Sequence, residues 1–218
     1  MKPIKKYIET SFFEYCNLPL SKSLSEASFH NFKNDDILTD RYIKEFISNY
    51  SDEYLSWYTQ YNNLEDEDEE FLIDSPDFYS YIKNELEANL EEAKENIYDK
   101  IDPLTGGIKI YREITVGPDW LDHLKKQGKR LGIYWSWDDE AAEAHWGDPS
   151  KKNSALLEVE IDEKYVDWET TLQLNSHPYY KQEKEIRLFK NTPIVLKNLS
   201  INNEKIDLSV FDNKDFYS

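Results

Sequence analysis

Apolar residues recur through the first half of the chain at a helical interval. Leu38, Tyr42, Phe46 and Tyr50 fall four apart, and Tyr54, Tyr58 and Tyr61 continue the stripe past Ser51. Ser75-Pro76 supplies an N-cap followed by proline at the first helical position, where a missing N–H leaves no bond unmade. From there Phe78, Ile82, Leu86, Leu90, Ala93 and Ile97 share one face and acids cover the other, as far as about Asp99. After Asp102-Pro103 and Gly106-Gly107 the period shortens. Ile108–Val116 alternates as a strand, with Ile108, Ile110, Ile114 and Val116 on one face and Lys109, Tyr111, Glu113 and Thr115 on the other. The pattern then predicts a helix over Pro118–Gly128, a strand over Leu131–Trp137 and an Ala-rich helix over Asp138–Trp146 stopped by Gly147. Further strands are expected at Leu156–Ile161, Val166–Leu172, Glu183–Phe189, Pro193–Ile201 and Lys205–Phe211. The expectation is an α+β chain without internal repeats: an acidic helical region over 1–102 and a mostly β region over 103–218.

Composition narrows the function classes. The chain has 218 residues and 39% hydrophobic content, enough to bury a sizeable core in one large domain or two small ones. Its 32% charged content would suit disorder, but 15% aromatics exclude that on a large scale. A net charge of −18 repels phosphate backbones and anionic lipid surfaces, which argues against non-specific nucleic-acid binding. Residues 1–100 hold 10 bases and 23 acids, net −13, against 16 and 21, net −5, in residues 101–218. Glu65–Glu70, six acids in a row, reads as a solvated loop; the sharper alternative is a mimic of nucleic-acid charge or a dock for a basic partner. Cys16 is alone, so no internal disulfide forms, as in a reducing compartment. Met1–Ser21 lacks the continuous apolar stretch of a signal peptide, and no run approaches the roughly 18 apolar residues of a membrane span. A cytoplasmic location is expected.

Three features carry chemistry. Arg112 falls in register with the inward residues of its strand, so its guanidinium needs an anionic partner, either a protein carboxylate or a ligand phosphate. Gly132-Ile133-Tyr134-Trp135-Ser136-Trp137 runs into Asp138-Asp139-Glu140, bringing aromatics and one hydroxyl to a helix N-terminus; plain core is the alternative for the tryptophans. In Glu183-Lys184-Glu185-Ile186-Arg187-Leu188, alternation puts Ile186 and Leu188 on one face and both glutamates on the other, roughly 6–7 Å apart. Each carboxylate raises the pKa of the other, which suits stabilisation of a sugar cation beside a general base; a solvent-facing charged strand is the commoner origin of such a pair. His30, His123, His145 and His177 are scattered and there is one cysteine, so no metal site is expected. Nor is there a Walker-type loop, a Gly-x-Gly-x-x-Gly or a serine or cysteine nucleophile motif.

In this order the three features resemble the ADP-ribosyltransferase family, whose Arg–Ser–Glu members carry Arg on the first core strand, Ser near the nicotinamide ribose and Glu-x-Glu on a later strand. Tyr111-Arg112, Trp135-Ser136 and Glu183-Lys184-Glu185 stand in those places. Tyr134-Trp135-Ser136 with Ala141, Ala142 and Ala144, then Asp167–Leu172, then Glu185–Leu188 with Thr192–Val195, is similar to small transferases of phages and of bacterial toxin or defence systems. The resemblance covers about Ile108–Ile201. The family's Ser-Thr-Ser triplet is absent, so the hydroxyl falls to Ser136 or to Thr170 or Thr171.

The resemblance implies a split-sheet fold and a mono-ADP-ribosyltransferase using NAD as co-substrate, with no metal. Glu185 would hydrogen-bond the ribose, Glu183 would activate the acceptor, and Arg112 would hold the diphosphate or adenosine ribose. Tyr134, Trp135 or Trp137 would wall the nicotinamide, while Tyr179 and Tyr180 sit where the family carries its target-recognising loop. The acceptor would be a protein side chain or RNA or DNA, and nucleic acid would meet the bases Lys125, Lys126, Lys129 and Arg130. The helical region would recognise the acceptor or a regulatory partner such as an antitoxin. The competing class is a non-catalytic acidic binding protein, a nucleic-acid mimic or inhibitor.

Overall fold

The computed structural model describes residues 29–62, 72–126, 130–146, 153–211 and 216–218. Met1–Ser21, Glu65–Glu70 and Lys129 lie outside them. The fold is α+β. Helices α2 (Asp40–Asn62) and α3 (Pro76–Tyr98) follow the apolar stripes of the first half, and a short α1 (Asn34–Ile37) that no stripe announces precedes them. Ser75 caps α3 by accepting from the Phe78 N–H at 3.1 Å, with Pro76 opening the first turn. The whole stripe from Phe78 to Ile97 is buried, each large side chain contributing roughly 1.5–3 kcal/mol through removal from water.

The second half builds an antiparallel sheet in the order β4-β2-β1-β3-β5-β6, with β7 (Phe216–Tyr217) paired to β5. Its strands are β1 (Gly107–Val116), β2 (Tyr134–Ser136), β3 (Asn153–Asp162), β4 (Glu185–Arg187), β5 (Pro193–Ile201) and β6 (Glu204–Lys205). β1 and β3 pair along their full lengths, with Ile108, Ile110 and Arg112 opposite Ile161, Val159 and Leu157. That row is the core face; Lys109, Tyr111 and Glu113 stand on the other, where Glu113 is buried all the same while Ile114 is only half-buried. Helix α4 (Trp120–Lys126) follows β1, α5 (Asp139–Trp146) packs across β1 and β2, and α6 (Trp168–Ser176) packs between α3 and β4.

α6 also joins the two halves. Tyr42 Oη of α2 donates to the Gln173 carbonyl at 2.9 Å, and Asn89 Nδ2 of α3 donates to the Ser176 carbonyl at 3.1 Å. Phe29 meets Trp168 edge-on at 4.9 Å, and the buried residues of helices and sheet form one continuous core. Among the described residues, no helix is long and apolar enough to cross a membrane.

Four expected strands change. Val166–Leu172 is not a strand, because the Asp167 side chain accepts from the Thr170 N–H at 3.3 Å and starts α6, overriding the β-branched Thr170-Thr171 pair. Leu131–Trp137 contracts to β2, since Gly132 turns the chain at φ +91°. Glu183–Phe189 contracts to β4: Lys181–Glu183 is a 3-10 turn and Lys184 is left-handed at φ 48°. Lys205–Phe211 gives only β6 and a 3-10 turn over Leu208–Val210, capped by Asp207.

Because one core serves both halves, Leu86→Ala should cost about 2–5 kcal/mol and lower the whole unfolding transition. Urea melts followed by far-UV circular dichroism and by tryptophan fluorescence should move together; a shift in the helical signal alone would show separately folding halves.

Candidate functional site

The three strands that carry the sequence features are neighbours. Tyr111 on β1 pairs with Ser136 on β2, and Ser136 pairs with Glu185 on β4, so these three residues form one row on one face of the sheet. Arg112, next along β1, leaves from the opposite face. Its Nη1 donates to the Tyr134 carbonyl at 2.7 Å, so the guanidinium lies along the β2 backbone. A glycine is required beneath it: a Cβ on Gly132 would collide with Arg112 Nη1 and stand 2.8 Å from Cζ, at a φ that L side chains rarely adopt.

Arg112 and Glu185 are electrostatically coupled across β2. Burial pushes the Arg112 pKa down while Glu185 opposes that shift. Burial, then repulsion from Glu183, pushes the Glu185 carboxyl up to about 8, against the pull of Arg112 and Arg187. Both causes favour the protonated form of Glu185. Glu183 exerts this effect from the end of the 3-10 turn Lys181–Glu183; the two carboxylates do not share a strand face as alternation had predicted, because Lys184 breaks the extended backbone between them.

Neighbouring residues fix the Glu185 strand. Asn175 Nδ2 donates to the Glu185 carbonyl and to the Thr171 carbonyl, each at 2.7 Å, while its Oδ1 is buried with no hydrogen bond from the described residues. Arg187 binds the Asp167 carboxylate and Thr170 Oγ1 through Nη1. Thr171 Oγ1 accepts from the Arg187 N–H at 3.0 Å. Both threonine hydroxyls are thus occupied at the start of α6, and the hydroxyl beside Glu185 is that of Ser136, which is 4% exposed and accepts from the Asp138 N–H at 3.2 Å. Asp138 caps α5 and takes Lys184 Nζ at 2.5 Å, an ion pair that pulls its pKa down.

The aromatic candidates divide. Trp135 and Trp137 are 2% and 5% exposed and fill the core, Trp135 donating to the Gly132 carbonyl at 2.8 Å, so neither is a surface wall. Tyr134 is half-buried. Tyr179 is 43% exposed, whereas Tyr180 turns inward, its pKa raised by burial and then by Tyr50, Glu183 and Glu185. Lys125 belongs to α4, where it pairs with Asp122 at 3.7 Å, and Arg130 donates to Asn191 at 2.8 Å. Sequence reading missed Asn175 and the aromatic surroundings of Tyr180, since neither an asparagine in a helix nor a distant tyrosine stripe announces its partners.

Two open depressions lie elsewhere, one of about 500 Å³ lined by Phe29, Lys94, Glu95, Tyr98 and Asp99, the other of about 460 Å³ between Glu113 and Asn203. Neither includes Arg112 or Glu185. Among the described residues, no three His, Cys, Asp or Glu side chains come together to hold a metal ion. No protein-family model matches the chain, and neither a curated protein nor a solved structure matches it.

Gly132→Ala should cost roughly 1–3 kcal/mol from backbone strain alone, with the clash on Arg112 added, as read by urea denaturation. Glu185 gives a second expectation. A carboxyl whose folded pKa is raised from 4.5 to about 8 stabilises the fold fully below 4.5 and loses that contribution as pH rises through 8. Glu185→Gln, which does not titrate, should therefore gain stability relative to the unaltered chain between those pH values. Parallel stability curves for the two proteins would show that Glu185 is not perturbed.

Proposed function

We propose that the chain is an NAD-dependent mono-ADP-ribosyltransferase. The observation that carries this reading is the adjacency of β1, β2 and β4: Ser136 and Glu185 stand in register on neighbouring strands, and Arg112, which leaves β1 from the opposite face, is electrostatically coupled to the Glu185 carboxyl. The donor set suits the co-substrate. A guanidinium fits a diphosphate, a hydroxyl and a carboxyl fit a ribose, and Tyr134, the accessible member of the aromatic trio, would wall the nicotinamide.

In this mechanism the bond between ribose C1′ and the nicotinamide nitrogen breaks, its electron pair leaving with nicotinamide. Positive charge builds on the ribose, and the Glu185 carboxylate stabilises it. An acceptor nucleophile on a protein or nucleic acid then bonds to C1′ and gives its proton to Glu183. The pKa near 8 makes Glu185 responsive, because a cationic nicotinamide favours the ionised form and displaces the proton on binding. Ser136 orders the strand turn beside Glu185 through Asp138.

Nicotinamide release should rise with pH, with a midpoint in kcat/KM near 8 and a plateau above it, since the ionised carboxylate is the active form. Glu185→Gln should lower the rate roughly 10²–10³-fold. The deciding assay incubates the protein with labelled NAD and a cell extract, then digests with protease or nuclease to find which fraction keeps the label. Label in neither fraction, with no nicotinamide released, would favour the acidic binding protein instead.

A further inference from the structure

The helical half grips the segment that delivers Glu185. Phe46 and Tyr50 of α2 pack edge-on against His177, with centroids 4.9 and 4.6 Å away, and Tyr180 covers the same ring at 4.5 Å. His177 is kept neutral by burial, and its Nδ1 accepts from the Tyr179 N–H at 3.2 Å. From α3, Asn89 reaches the same turn with both ends of its amide. Nδ2 donates to the Ser176 carbonyl at 3.1 Å, and Oδ1 accepts from Lys181 Nζ at 3.0 Å. Ser176 ends α6 and Lys181 opens the 3-10 turn, so one side chain, 9% exposed, ties the two ends of His177–Tyr180 together. The chain then passes through Glu183 and the left-handed Lys184 directly into Glu185.

We propose that Asn89 is a positioning residue for Glu185, and that α3 thereby sets where the carboxyl stands. An amide supplies a donor and an acceptor on one short stem; aspartate lacks the donor, and leucine lacks both. With the turn untied, the carboxyl would gain water and move relative to the groups that face it: Glu183 and Tyr180 from the turn, Arg187 from its own strand, Arg112 from β1. The kinetic part of this inference rests on the transferase reading; the placement of the carboxyl does not.

The test uses the full chain with Asn89→Leu and Lys181→Met, beside Lys83→Ala, which alters an exposed pair with Glu87 on the same helix. Carbon-13 NMR of labelled glutamate gives the Glu185 midpoint, its resonance identified by loss in Glu185→Gln. Nicotinamide release gives kcat and KM. Asn89→Leu should lower the midpoint by about one pH unit or more, and lower kcat about tenfold with KM for NAD little changed. Lys181→Met should shift both in the same direction by less, and Lys83→Ala should shift neither. A folded Asn89→Leu with midpoint and kcat unchanged overturns the proposal; if that variant does not fold, Lys181→Met decides by the same readouts. Should the unaltered chain release no nicotinamide, the proposed reaction falls while the midpoint still decides the role of Asn89.

Discussion

The Glu185 carboxyl sits between opposed influences. Removal from water and the like charge of Glu183 favour its neutral form; Arg112 and Arg187 favour its ion, and the balance settles near pH 8. A carboxyl left in water would stay ionised at neutral pH whatever came near it. One held near its midpoint changes charge in response to a single added cation, so the same burial that weakens the fold at high pH makes the group sensitive to any positive charge brought beside it. The charge state of Glu185 therefore depends on the packing that surrounds β4, not on the glutamate alone.

That packing begins with an inward-facing charge on β1. Arg112 occupies a position where its strand neighbours are isoleucines, and it is accommodated because β2 offers a carbonyl at Tyr134 and the turn before it bare backbone at Gly132. β1 and β2 share only the Tyr111–Ser136 pairing, so the guanidinium bridges strands that the ladder barely joins. On the far side of β2, α6 fixes β4 through Asn175, Thr171 and the Asp167–Arg187 ion pair. α6 is held in turn by Tyr42 and Asn89 from the helical half. A continuous set of contacts thus runs from α2 and α3, through α6 and the turn after it, to the carboxyl.

Much of this was legible locally. The stripe from Phe78 to Ile97 specified a helix and its buried face, the Ser75-Pro76 start specified its first turn, and alternation over Ile108–Val116 specified both the strand and the inward place of Arg112. The failures were local conflicts. Thr170-Thr171 has strand propensity, but Asp167 could cap a helix, and packing of Trp168, Thr171 and Leu172 chose the helix. Glu-Lys-Glu reads as three strand residues, yet Lys184 adopts a left-handed conformation that places Glu183 in a turn while leaving it close enough to perturb Glu185. Trp135 and Trp137 looked equally suited to a pocket or a core, and the core took both.

The sequence by itself determined the elements whose periodicity spans many residues, because a repeated spacing fixes which side chains share a face regardless of what covers it. Only the tertiary structure decided which segments become neighbours. Spacing along the chain says nothing of the strand order that places Ser136 and Glu185 side by side next to the strand of Arg112, or of an asparagine on α3 that ties a turn 87 residues away. The charge state of Glu185 belongs to the same class: it is set by desolvation and by charges from other strands and turns, and those distances exist only once the chain has folded.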